Sequence, residues 1–120
     1  APAIVHASIT AIDLIENDYS LLDTLKKNTA YFRQQIESIG YTIKSGDHPI
    51  VPIMLGDAKL SQKLSQQMLE MGIYVIGFSF PVVPKNQARI RVQISAGHSK
   101  EQIDRALNSF EECGKKLKVI

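Results

Sequence analysis

The chain has 120 residues, with 44% hydrophobic and 22% charged side chains, the balance of one ordinary globular domain with a single core. Its 14 Lys+Arg and 12 Asp+Glu leave a net charge of +2 spread along the chain, which argues against nucleic acid as a partner. No apolar run approaches the roughly 20 residues of a membrane span, no secretory signal is expected, and Cys113, the only cysteine, cannot close an internal disulfide, so a reducing compartment is expected.

Residues 3–15 are apolar nearly all round, with Ile4, Val5, Ile9, Ile12, Leu14 and Ile15 among them and only Asp13 charged. Such a helix is normally buried on several sides. Residues 1–16 therefore read as the end of a helix that packs against an upstream domain. After a polar break, Ser20 is the expected N-cap of a second helix whose stripe of Leu22, Leu25, Thr29, Phe32, Ile36 and Ile39 stops at Gly40. Lys26, Lys27, Arg33, Gln34 and Glu37 fall on its solvated face.

Strands are expected at 41–43 and 50–55, and Pro52 points to an edge or a bulge in the second. Asp57 caps a helix with the inner face Leu60, Leu64, Met68 and Met71, stopped by Gly72. Residues 73–80 read as a strand, 81–86 as a stiff proline loop, and 89–95 as an alternating strand. In that last strand Arg89, Arg91 and Gln93 share one face, and Ile90, Val92 and Ile94 the other. Ser99 and Gln102 form a capping box for the last helix, whose stripe is Ile103, Ala106, Leu107, Phe110, Cys113 and Leu117. The order predicts an α+β fold: a small, mostly antiparallel sheet covered by helices on one face.

Chemistry is sparse. Arg89 and Arg91 are the best candidates, since a guanidinium on a strand can offer two parallel donors to a carboxylate; two solvated surface arginines is the plainer alternative. His6, His48 and His98 stand alone, without a second ligand at metal spacing, so no metal site is expected. Cys113 lies on a helix's apolar stripe and reads as core. No phosphate-binding glycine motif occurs.

The stretch from Gly72 to Ser99, with Phe80-Pro81-Val82-Val83-Pro84 followed by Arg89-Ile90-Arg91, resembles the α-oxoamine synthase family of fold-type I pyridoxal-phosphate enzymes. Asp47 to Asp57 resembles the same family's preceding strand. The likeness runs over nearly the whole chain, and is tightest to members that interconvert glycine and acetyl-CoA with 2-amino-3-ketobutyrate and CoA in threonine breakdown. It implies that residues 1–120 are the C-terminal small domain of such an acyltransferase, a homodimer of bacterial cytosol or mitochondrial matrix. Arg91 then grips the amino-acid carboxylate, Arg89 has a structural or solvent role, and Phe80, Pro81 and Val82 border the acyl pocket.

Val82 stands where some members carry threonine, which suits a short acyl group. Asn86 replaces the family's usual glycine and tolerates positive φ; Phe80 replaces a common tyrosine and loses its hydroxyl. The lysine that anchors pyridoxal phosphate, the aspartate on its pyridine nitrogen and the histidine on its ring lie upstream in the family. No catalytic or cofactor-binding residue is therefore expected in this chain, which alone should be inactive. Alternatives are a synthase using another acyl-CoA, or a stand-alone amino-acid-binding regulatory domain.

Overall fold

The computed structural model describes all 120 residues. Four helices and three strands follow in the order α1 (Pro2–Asn17), α2 (Ser20–Ile39), β1 (Ile50–Gly56), α3 (Ala58–Glu70), β2 (Ile76–Phe78), β3 (Ala88–Gln93) and α4 (Lys100–Lys116). The sheet order is β1-β3-β2, and both outer strands run antiparallel to β3. α2, α3 and α4 supply the helical side of a core in which Phe32, Ile36, Leu64, Met68, Leu107 and Phe110 pack with Val51, Ile53 and Ile90. The α+β architecture is the one the element order predicts.

Local chemistry sets most element ends. Asp57 accepts the Leu60 N–H at 2.7 Å, and Ser99 and Gln102 close the expected capping box. The cap of α2 differs from expectation. Ser20 is already helical and Tyr19 is the N-cap, without a side-chain cap; the preceding Asp18 supplies the acceptor instead, its Oδ1 taking the Ser20 N–H at 2.8 Å, and hydrogen bonds from Ser20 hold the Asp18 carboxyl below its ordinary value. Gly40 ends α2 at φ 117°, a conformation costly for any residue with a Cβ.

Three further expectations change. Residues 41–43 form only an isolated bridge, Ile43 to Ile53, because the chain must turn at once into the 44–49 loop. The strand expected over 73–80 is confined to Ile76–Phe78. Leaving Gly72, the chain approaches β3 only at Ile76, and at the far end Ser79 O draws the Val82 and Val83 N–H groups into a turn. Arg33 is buried, not solvated, and donates to the carbonyls of Lys44, His48 and Ile50.

Pro52 sits on an edge strand as expected. Its carbonyl turns outward to accept the Lys44 N–H at 3.1 Å, so the missing proline donor falls on the side away from β3 and the β1–β3 ladder is intact. α1 contains no buried residue: Ile4, Val5, Ile12 and Leu14 are each more than half exposed. No helix is long and apolar enough to cross a membrane.

Candidate functional site

Alternation along β3 divides its side chains between two environments. Ile90 is fully buried against the helices, while Arg89, Arg91 and Gln93 project to the opposite face. Cross-strand register puts Pro52 and Ile76 on either side of Arg91, and Met54 and Phe78 on either side of Arg89. The arginines thus lie on a floor of apolar side chains at the middle of the sheet.

Their partners separate them. Arg89 is half-buried and tied back to its own strand entrance: Nε donates to Gln87 O at 3.0 Å and Nη2 to Gln87 Oε1 at 3.2 Å. Arg91 is exposed and its guanidinium donates no hydrogen bond within the chain, and the two ion pairs, Lys100–Asp104 and Lys115–Glu111, lie elsewhere. Its Cζ stands 4.2 Å from the centroid of the Phe78 ring. A guanidinium over a ring spends none of its N–H donors on that contact, and two of them can hold a carboxylate at once.

Beyond Ile76 the chain diverges from β3, and a cleft of about 560 Å³ opens between them. Arg91, Gln93, Tyr74 and His98 border it, with Phe32, Ile103 and Phe110 among the apolar residues beneath. The 95–98 turn that closes one end is rigidly tied: Asn28 Nδ2 donates to Ser95 O and His98 O, and His98 Nδ1 accepts the Ser95 N–H. His48 Nδ1 likewise accepts a backbone N–H, that of Ile50, so both histidines serve turns. No three His, Cys, Asp or Glu side chains gather as a metal site would need.

Phe80, Pro81 and Val82 lie on the loop joining β2 to β3, whose Phe80–Pro81 peptide is cis. Phe80 and Val82 are well exposed, whereas Val83 is buried and anchors the loop. Lys85 Nζ stands 5.3 Å above the Phe80 ring, and Asn86 adopts φ 62°, the left-handed conformation expected of it in place of glycine. These three residues do not line the cleft that Arg91 borders. Cys113 is buried beside Met71, and burial pushes its thiol pKa up, the opposite of an activated nucleophile.

Phe78 was not among the residues singled out from the sequence. A strand reading of 73–80 contained the signal, because Phe78 and Ile76 alternate onto one face, but the register that sets them beside the arginines is a tertiary fact.

Residues 1–110 match the family described as aminotransferase class I and II. The chain is 50% identical over all 120 residues to the 2-amino-3-ketobutyrate coenzyme A ligase of Escherichia coli strain K12, covering 30% of that protein. It is 48% identical over 114 residues to the mitochondrial 2-amino-3-ketobutyrate coenzyme A ligase of Homo sapiens, covering 95% of this chain and 27% of that one. Among solved structures, the 8-amino-7-oxononanoate synthase of Francisella tularensis superposes with a TM-score of 0.81 at 25% identity, over 99% of this chain and 34% of that one. The chain thus spans about 30% of the length of the curated relatives it matches.

Proposed function

The chain belongs to the aminotransferase class I and II family, and from that premise we propose that it is the C-terminal small domain of a glycine C-acetyltransferase. The full enzyme would interconvert glycine and acetyl-CoA with 2-amino-3-ketobutyrate and CoA, as a homodimer using pyridoxal phosphate. The observation that carries this reading is the 50% identity to a protein of that name across the whole 120 residues, motif and helices alike. The bare apolar surface of α1 supports a chain that packs on upstream structure, and weighs against a stand-alone regulatory domain.

Within the reading, Arg91 holds the amino-acid carboxylate. Its exposure, its unspent N–H donors and its fixed place on the central strand fit it to receive an anion; Arg89, already engaged with Gln87, is fitted to hold the strand entrance. Two hydrogen bonds to one carboxylate fix the orientation of the α-carbon as well as its position. Pyridoxal phosphate, when bound, supplies the electron sink for the charge that develops at that carbon. The residues at the Arg91 cleft fit a substrate carboxylate, and no lysine lines it, so the groups that hold the cofactor are assigned to the upstream part of the protein. Phe80, Pro81 and Val82 would border the acyl group, their side chains open to whatever packs on that loop.

The test is steady-state kinetics of the full-length protein with glycine and a series of acyl-CoA chain lengths. Acetyl-CoA is expected to be the preferred donor. A preference for a long or charged acyl-CoA would move the protein to another synthase of the same fold, such as the one its structural neighbour represents. Arg91→Ala is expected to raise the glycine KM by about a hundredfold or more, since breaking a desolvated charge pair costs roughly 3–5 kcal/mol. Arg89→Ala should change it little. An unchanged glycine KM in Arg91→Ala would remove Arg91 from the site.

A further inference from the structure

The pairing of Arg91 with Phe78 raises a question that the carboxylate reading leaves open. An arginine side chain has several free torsions, and one projecting from an exposed strand face would lose that freedom on gripping a ligand. Its direct cross-strand neighbours, Pro52 and Ile76, offer apolar contact but nothing that fixes the plane of a guanidinium. Phe78 does, as the diagonal neighbour whose ring Arg91 overlies at 4.2 Å.

The ring itself is held in place. Phe78 is partly buried and paired with Arg89, and the preceding Gly77 lies so close to α3 that a Cβ there would stand 3.0 Å from the Ser61 carbonyl oxygen. β2 is thus pressed onto the helical layer at the point where it presents its ring to the other side.

We propose that Phe78 is the positioning residue of the carboxylate clamp: its ring holds the Arg91 guanidinium so that the outward N–H edge is preset for two-point capture of a carboxylate. The inference rests on the reading of Arg91 given above, and it assigns a division of labour. Gln87 immobilises one arginine as structure, and Phe78 immobilises the other while leaving its donors unspent.

The experiment compares the full-length enzyme with its Phe78→Leu, Phe78→Tyr, Arg91→Ala and Phe78→Leu/Arg91→Ala variants, measuring kcat and KM for glycine and for acetyl-CoA separately. Phe78→Leu keeps apolar bulk and removes the ring. It is expected to raise the glycine KM about two- to fivefold, the worth of one partly exposed cation–ring contact, while acetyl-CoA KM stays level. Phe78→Tyr retains the ring and should restore the glycine KM. In the Arg91→Ala background, Phe78→Leu should add nothing.

Four results would overturn the proposal: no rise in glycine KM with Phe78→Leu, an equal rise for both substrates, a tyrosine variant as impaired as the leucine one, or full additivity with Arg91→Ala. If Arg91→Ala itself raises the glycine KM while Phe78→Leu does not, the clamp stands and only the positioning role falls. If Arg91→Ala has no effect, both fall together.

Discussion

Arg33 and Arg91 carry the same group to opposite ends. Arg33 is 8% exposed and has no carboxylate partner; its guanidinium instead gathers the carbonyls of Lys44, His48 and Ile50, and so holds the loop that delivers β1. Five donors in a fixed fork suit a set of converging carbonyls better than an ammonium could. Arg33→Met, similar in bulk, would leave those carbonyls without a donor, and is expected to lower stability by about 2–4 kcal/mol in urea unfolding. Arg33→Lys should recover only part of that loss. None of this was legible beforehand, since Arg33 lies among lysines on the polar side of α2, and its acceptors are 11 to 17 residues away in the chain. The place of Arg91 on the outward face of β3 was legible because strand alternation is local. The ring beneath it was not, since strand register is decided by tertiary pairing.

Between elements, the joint of α2 with the start of α4 depends on a charged cluster. Tyr31 donates to Asp104 Oδ1, and the Lys100 ammonium bonds both Asp104 and the Tyr31 oxygen while lying over the tyrosine ring. Hydrogen bonds from Lys100, then Tyr31, hold the Asp104 carboxyl below its ordinary value, and the same Asp104 contact raises Lys100. A carboxyl lowered in the folded state stabilises the fold above its unfolded pKa, and that contribution is lost as pH falls through the folded one. Thermal unfolding should therefore show wild type above Asp104→Asn at neutral pH, with the gap closing below about pH 4. A gap that persists undiminished in acid would mean the carboxylate charge is not what joins the helices. The starts of α3 and α4 were readable because caps act within three residues, as at Asp57 and Ser99. Strand ends were less so: 41–43 and 73–75 carry apolar residues fit for a strand, yet whether a partner lies alongside is settled by the layer beneath them.

At the scale of the molecule, α1 stands outside the core. It spans 16 residues without burying one, and its apolar side chains meet solvent on every side. Deleting residues 1–17 from the 120-residue chain should leave the urea midpoint nearly unchanged and reduce self-association, measured by sedimentation. A loss of about 2–5 kcal/mol, typical of removing a core side chain, would show instead that α1 contributes to this fold's own stability. That the segment would find no burial within this chain was evident from its composition, because an all-round apolar helix has no solvated face. The three-strand order with β3 in the middle was not, since alternation identifies a strand's two faces but not its neighbours.

That order makes the arginine-bearing face self-checking. Sliding β3 by one residue against β1 and β2 would turn Arg89 and Arg91 into the helical layer and Ile90 out to water. Each unpaired guanidinium so buried would cost several kcal/mol, against a typical domain stability of about 5–15 kcal/mol. A chain folded out of register would thus be poorly stable and cleared by proteolysis, so the surviving population carries its arginines facing outward.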